Sequence, residues 1–365
     1  MSIPAFDPRT PVIPLRGEID EAVARVLDSG AFVLGPEVAA FEAAFAEQLG
    51  AKHVVSVANG TEAITIALRA IGVGPGDEVI VPSFTFFASA EAIPPTGATP
   101  VFCDVDPGTR CVTAETVRAA MTPRTKAVVV VHLFGNVAPV AEIEALGVPV
   151  VEDTAQATGA LGVRADGSVA SAGTLGKAGT FSFYPSKNLG GFGDGGAITT
   201  DDDAVAEQAR LLRLHGSRAK DTYLEVGYNS RLDGIQAAIL GVLLPHLPAW
   251  VEHRRAAVDR YRASALAEVV GLPVDGPGTS PAWNLMVVTH PEADRLAAGL
   301  QERGIEARAY YREPIHLQPA MKPWPTTVDL PGTTHLAAQH LALPLSAAIT
   351  DAQVDEVAAA VAELA

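Results

Sequence analysis

Lys187 lies in the run TFSFYPSKNLGGFGDGGAITT, residues 180–200, whose residue types and spacing could do chemistry. A β-rich stretch over 180–184 is stopped by Pro185. One lysine follows, then Gly190, Gly191, Gly193, Gly195 and Gly196, then a second strand-like stretch over 197–200. The spacing predicts a lysine on a tight turn between strands. Its nearest carboxylate in sequence is Asp194 and its other neighbours are aromatic or glycine, so the ammonium lacks a local partner and its pKa should fall. Such an amine can add to a carbonyl carbon and form an imine. The same run, taken alone, also fits a surface lysine on a glycine loop. Gly191, Gly193 and Gly196 spell G-x-G-x-x-G, but that pattern binds a dinucleotide only where a helix follows. A strand follows here, which excludes the reading.

A second candidate is Asp153, in the run VPVVEDTAQATGA, at the carboxyl end of a strand over 149–152. If this strand and the one before Lys187 share a parallel sheet, both side chains open on one crevice beyond the strand ends. A pyridoxal phosphate ring between them would have its aldehyde held by Lys187 and its ring nitrogen kept protonated by Asp153, which makes the ring an electron sink. Asp153 also suits the N-cap of a helix starting at Thr154. Asn59, Gly60, Thr61 and Glu62 open a helix over 63–71, with Asn59 and Glu62 spaced as in a capping box. The amides of residues 60–62 form an N-terminus suited to a phosphate, and an ordinary cap has the same sequence.

The elements that must position these groups follow an alternating order. Helical spacing covers 18–27 and 37–49, separated by the loop SGAFVLGP. Strands are predicted over 54–57, 78–81, 101–105 and 127–133, with helices over 85–92 and 113–121 between them. Apolar strands alternating with helices indicate a parallel or mixed sheet covered on both faces. A helix over 201–214 is followed by one running through Leu244, which Pro245 and Pro248 interrupt before it resumes over 250–266. The domain hinge is placed there, giving a large domain with an N-terminal arm over 1–245 and a small one over 246–365. In the second, strands over 284–289 and 305–310 flank a helix over 291–303, a loop covers 311–334 and a final helix covers 351–364.

Composition bounds the partners. The chain has 365 residues, 48% of them hydrophobic, and a formal net charge of −16. With no block of lysine and arginine, a nucleic-acid surface or an anionic membrane is not expected. The first residues carry prolines and acids where a signal peptide needs an apolar run, and no stretch approaches the ~20 apolar residues of a membrane span. A cytoplasmic protein is expected. Cys103 and Cys111 form no metal pattern with the nine histidines, so both read as structural and no metal is expected.

Together these motifs resemble the DegT/DnrJ/EryC1/StrS aminotransferases. SGAFVLGPEVAAFE, ANGTEAITIAL, GDEVIVPSFTFFAS, VVHLFGN, VEDTAQATGA, FSFYPSKNLGGFGDGGAITT, GYNSRLDGIQAAIL and YREPIHLQP carry the resemblance across nearly the whole chain. It implies an aspartate-aminotransferase-like α/β fold, with a large mixed-sheet α/β/α domain and a smaller C-terminal α+β domain. It also implies pyridoxal phosphate as cofactor. Lys187 becomes the Schiff-base lysine and Asp153 the partner of the pyridine nitrogen. Gln156 would lie near the ring's phenolic oxygen and Phe86 would stack on the ring. The phosphate would be held by the amides of Gly60, Thr61 and Glu62 and by the Ser182 hydroxyl. Asn229 matches an asparagine that reaches the phosphate from the partner subunit, which implies a homodimer with shared active sites. Arg231 is a candidate for the donor's α-carboxylate and His316 for the sugar.

The activity implied is ping-pong transfer of the amino group of L-glutamate to a 3- or 4-keto sugar on a nucleoside diphosphate. A keto-cyclitol aminotransferase and a cofactor-binding regulator without turnover are the other readings. Arg213, Arg218, Lys220, Arg308 and Arg312 are loop cations that could meet a diphosphate or simply be solvated.

Overall fold

The computed structural model describes residues 2–219 and 222–365. Its strands are β1 (His53–Val57), β2 (Glu78–Pro82), β3 (Thr99–Cys103), β4 (Thr125–Val131), β5 (Val150–Asp153), β6 (Leu161–Val163), β7 (Val169–Ser171), β8 (Ala178–Ser182), β9 (Gly196–Thr200), β10 (Ser217–Ala219), β11 (Thr222–Tyr223), β12 (Met286–Thr289) and β13 (His340–Leu343). Seven of these form one sheet in the order β1-β9-β8-β5-β4-β2-β3. Strands β3, β2, β4, β5 and β8 run parallel; β9 pairs antiparallel with β8, and β1 at the edge pairs antiparallel with β9 and so runs with the other five. The sheet is therefore mixed, as expected, and β4, β5 and β8 carry their carboxyl ends to the same side.

Helices cover the sheet because their apolar stripes match its two faces. Helix Gly60–Ala70 contributes Ile64, Ile66 and Leu68 to a first core with the valines of β4 and Ile198 of β9. Helices Pro36–Leu49 and Gly234–Leu243 form a second core with Phe181 of β8 and Ala197 of β9. There Phe41, Phe45, Phe181 and Phe183 stack and meet edge to face at centroid distances of 5.0–5.5 Å. A third core lies around helices Leu247–Arg262, Ala293–Glu302 and Asp351–Leu364, and Ile3 from the N-terminal arm joins it. The β12–β13 pair joins this core to the first. Met286, Val288, Leu341 and Leu343 face the third core, whereas Val287 and Ala342 face the first, in the strict alternation of a strand.

Several sequence expectations change. The helix expected over 85–92 is a single turn, Ala88–Glu91, because the chain first crosses the strand ends and buries Ser83 and Phe84 there. The strand expected over 305–310 makes only isolated bridges, Ile305 to Ile3 and Arg308 to Ala342. Helix Pro331–Gln339 begins inside the segment read as a loop, and β13 follows it. The 29-residue helical run Gly234–Arg262 is long and apolar enough to cross a membrane by length and composition, contrary to the sequence reading. Half of its most apolar window is buried inside the protein, and its leucines line the second core. Pro245 and Pro248 each fall in the first turn of a new helical segment, where a missing N–H is tolerated.

Candidate active site

Asp153 closes β5, in register with Val131 of β4 and Thr180 of β8. Its carboxylate accepts a hydrogen bond from the Ser89 hydroxyl at 2.7 Å and from the Ala155 amide at 3.1 Å. Residues 154–157 form turns, not a helix, so Asp153 is not a helix N-cap. Lys187 follows β8 in a turn closed by its own N–H on the Tyr184 carbonyl at 2.9 Å. That turn belongs to a longer loop over 183–195 and not to a tight strand-to-strand turn. The Lys187 side chain is half-buried and makes no hydrogen bond or ion pair among the described residues. Burial lowers its pKa, while the charge of nearby Asp153 pulls it back up. An amine and a carboxylate thus lie near enough to feel each other's charge without bonding to each other.

The start of helix Gly60–Ala70 is pressed against the ends of β8 and β9. A Cβ on Gly60 would lie 2.8 Å from the Cβ of Ser182, and one on Gly196 would lie 2.5 Å from the Asn59 carbonyl. Glycine at both places lets the helix terminus and the Ser182 hydroxyl meet. Asn59 caps the helix by accepting from the Glu62 amide at 2.8 Å. The return bond of a capping box is not made, and Oε2 of Glu62 is buried without a partner. The cap also corrects the proposed phosphate set: the Glu62 amide is taken, which leaves those of Gly60 and Thr61 without intrahelical acceptors.

Gln156 is buried and fixed at both ends. Its Oε1 accepts from the Phe134 amide at 2.7 Å and its Nε2 donates to the Tyr311 hydroxyl at 3.1 Å. Burial pushes the Tyr311 phenol well up, so it stays protonated. The Tyr311 amide donates to His340 Nε2 at 3.1 Å while His340 Nδ1 donates to the Leu336 carbonyl at 2.7 Å. That arrangement suits a neutral imidazole, and burial lowers the His340 pKa to about 4. Phe86 exposes 57% of its surface, so its ring is available for stacking.

His316 pairs through Nδ1 with the Ser83 hydroxyl at 2.6 Å, and its own amide donates to the same oxygen at 3.3 Å. Ser83 Oγ accepts from that amide and, having a second lone pair and one proton, can either donate to Nδ1 or accept from it, according to the tautomer of the ring. Burial lowers the His316 pKa. Asn229 and Arg231 bond to each other and line a cavity of about 440 Å³ with Val33, Ala58, Asp194 and Gln236. Neither forms a hydrogen bond or ion pair with Lys187 or Asp153 of its own chain.

The loop cations divide. Arg213 is buried and donates to Glu42 at 2.7 Å and to the Ser56 carbonyl at 2.8 Å, so it is not available to a diphosphate. Arg312 is engaged by the Ala337 and Ala338 carbonyls and by Asp294. Arg218 pairs with Glu207 and Arg308 with Glu306 on the surface. Lys220 lies outside the described residues. Cys103 and Cys111 are free and buried.

Sequence reasoning missed the groups that hold the site. Ser89 sits inside the quoted run GDEVIVPSFTFFAS, yet only the fold brings it to Asp153. Tyr311 lies 155 residues from Gln156, a separation no local pattern spans.

The chain matches the model of the DegT/DnrJ/EryC1/StrS aminotransferase family over residues 14–362. It is 44% identical over 350 residues to the dTDP-3-amino-3,4,6-trideoxy-α-D-glucose transaminase of Streptomyces venezuelae, covering 94% of this chain and 91% of that one. A pleiotropic regulatory protein of Geobacillus stearothermophilus is 42% identical over 371 residues, covering 100% and 98%. The crystal structure of S. venezuelae DesV in complex with a ketimine intermediate superposes with a TM-score of 0.94 at 42% identity, covering 99% and 98%. The chain belongs to this aminotransferase family. It has the aspartate-aminotransferase-like fold and is a sugar aminotransferase dependent on pyridoxal phosphate.

The residues present fit that cofactor. A half-buried amine without a partner, a carboxylate fixed beside it, and two free helix amides against a serine hydroxyl supply a group for the aldehyde, the ring nitrogen and the phosphate.

Proposed function

We propose that this protein transfers the amino group of L-glutamate to a 3- or 4-keto sugar carried on a nucleoside diphosphate. The observation that carries the reading is Lys187, an amine of lowered pKa with no bonding partner, within reach of the charge of Asp153. The transaminase name of the Streptomyces venezuelae relative supports the substrate class.

Pyridoxal phosphate, when bound, supplies a carbonyl carbon that accepts amines and a ring that draws electrons from the adjoining carbon. In this reading the amides of Gly60 and Thr61 and the Ser182 hydroxyl bind its phosphate at the positive end of the helix. Asp153, oriented by Ser89 and Ala155, holds a proton on the ring nitrogen. Gln156 donates one Nε2–H to Tyr311, and its second N–H would be left for the phenolic oxygen. Phe86 covers a face of the ring. The uncharged amine of Lys187 takes the proton from the α-carbon of glutamate and, in the second half of the cycle, delivers one to the former carbonyl carbon of the sugar. His316 meets the sugar, its ring oriented by Ser83.

Asn229 and Arg231 complete the site of the partner subunit in a homodimer, Asn229 at the phosphate and Arg231 at the glutamate carboxylate. The reading divides the chain into a large cofactor-binding domain over 1–245 and a small domain over 246–365, in a cytoplasmic enzyme. A keto cyclitol is the second substrate class that the same chemistry serves.

The absorbance of the purified protein, before and after L-glutamate, tests the donor and the cofactor together. A visible band that gives way to a near-ultraviolet one supports both, and mass spectrometry of products from keto sugars and keto cyclitols then separates the two acceptors. The regulatory name of the Geobacillus stearothermophilus relative favours one other reading, cofactor binding without turnover. A bound cofactor that no amino donor converts would select it.

A further inference from the structure

The two neighbours of Lys187 are held by one side chain. Asn284 Nδ2 donates to the Ser186 carbonyl at 3.1 Å and to Asn188 Oδ1 at 3.0 Å. Asn188 in turn donates to the Ala282 carbonyl at 3.0 Å, and both asparagines are buried. The segment carrying Asn284 is itself gripped from several directions. The buried Arg254 donates to the carbonyls of Trp283 and Asn284 at 3.4 and 3.3 Å, and Arg255 donates to that of Pro281 at 2.7 Å. The Ala282 amide donates to the Gly135 carbonyl at 2.9 Å. Gly135 approaches so closely that a Cβ there would lie 2.5 Å from the Trp283 nitrogen. Trp283 takes a left-handed backbone, φ 43°, which is rare for a bulky residue and persists only where the surroundings fix it.

The loop over 183–195 is anchored mainly at its ends and by Leu189. Four of its residues are glycine, and Phe183 and Leu189 are buried in the second core. Its other backbone bonds are Phe183 to Gly195 and Gly191 to Phe183 at 2.8 Å, Lys187 to Tyr184 at 2.9 Å and Phe192 to Gln236 at 2.8 Å. Around Lys187 the chain is thus held by the local turn and by the paired side chains of Asn284 and Asn188. A lysine with no side-chain partner on such a loop takes its position from its backbone neighbours. We propose that Asn284, through its paired hydrogen bonds to Ser186 and Asn188, is a positioning residue that holds Lys187 in the crevice. The rigid segment leading into β12 thereby sets the place of the reactive amine. This rests on the reading of Lys187 as the amine that carries the reaction.

The test uses the full-length protein stripped of cofactor and follows the growth of visible absorbance as pyridoxal phosphate is added across a range of pH. The rate tracks the fraction of Lys187 present as free amine, so its midpoint reports the lysine. In Asn284→Ala the loop is released and the amine gains water. The midpoint then rises toward that of an ordinary lysine, and loading at neutral pH slows about tenfold. Asn284→Ser keeps one donor, falls between the two, and covers a failure of the alanine variant to fold. Tyr261→Phe serves as control: it removes a buried 2.9 Å hydrogen bond to the Pro344 carbonyl in the third core, lowering the thermal midpoint without moving the pH midpoint.

An unchanged pH midpoint in both Asn284 variants overturns the proposal. So does an equal shift in Tyr261→Phe, which makes the effect one of general stability. A wild-type protein that gains no visible absorbance at any pH overturns the reading of Lys187 and the role of Asn284 with it.

Discussion

Glu152 and Asp153 are adjacent carboxylates on one strand, and they point to opposite faces with opposite treatment. Glu152 is fully buried and saturated. It accepts from the amides of Gly173, Leu175 and Gly176 at 2.7–2.8 Å and faces His132 Nε2 at 2.8 Å. Because His132 Nδ1 accepts from the Ala138 amide at 3.1 Å, its Nε2 carries the proton given to Glu152. Asp153 receives one hydroxyl and one amide and keeps the rest of its acceptor capacity turned to the crevice. On the proposed function, the contrast separates a carboxylate that organises a loop from one left free to meet the cofactor: Glu152 is saturated, and Asp153 keeps spare capacity beside an unpartnered amine.

Substitutions can break this comparison. The largest effect is expected at Lys187. Lys187→Ala loses the visible absorbance and slows transamination on the order of a thousandfold or more, with little change in thermal midpoint, because no hydrogen bond is lost. Turnover near the wild-type rate would remove the lysine from the chemistry. Asp153→Asn comes next: cofactor still binds, as equilibrium dialysis would measure, and the proton-transfer step slows on the order of a hundredfold. Glu152→Gln reverses the pattern. Its amide NH₂ opposes at least one backbone donor, which costs about 1–3 kcal/mol in denaturant titrations and leaves the rate per folded molecule close to wild type. If Glu152→Gln lost rate and kept its stability, the assignment of the two carboxylates would be inverted.

How much of this was readable beforehand follows from range. Alternating elements, the lysine on its glycine loop, Asp153 at a strand end and the Asn59 cap are local patterns, and each appears where the sequence places it. The corrections come from contacts between distant segments. Residues 85–87 have the composition of a helix start, but the chain must first lay Ser83 and Phe84 over the strand ends, where Phe84 meets Tyr311 edge to face at 5.7 Å. β13 is four residues long and every one is buried, so no polar alternation announced it. Arg213 looked like a free loop cation until Glu42 and Ser56 closed on it. Ser89 and Asn284 had no functional reading, since a serine or an asparagine gains a role only from what the fold puts opposite it.

The smallest effect sharpens the other half of the comparison, the unpartnered amine. In the cofactor-free protein the folded pKa of Lys187 lies below its unfolded value of about 10.4, since burial opposes the charged form. Between those two values the unfolded chain binds a proton that the folded chain does not, so stability rises with pH across that window. Below the folded pKa both states are protonated, and the folded state bears the full cost of the buried charge. Lys187→Met keeps the apolar stem and removes the titration, so its stability lacks that rise and exceeds the wild type most at the low-pH end of the window. The effect is small because the side chain is only half-buried and water screens its charge. Parallel denaturant titrations of the two cofactor-free proteins would read it. A wild-type rise no steeper than that of Lys187→Met would mean that the amine is as well solvated folded as unfolded, and that the crevice does not tune it.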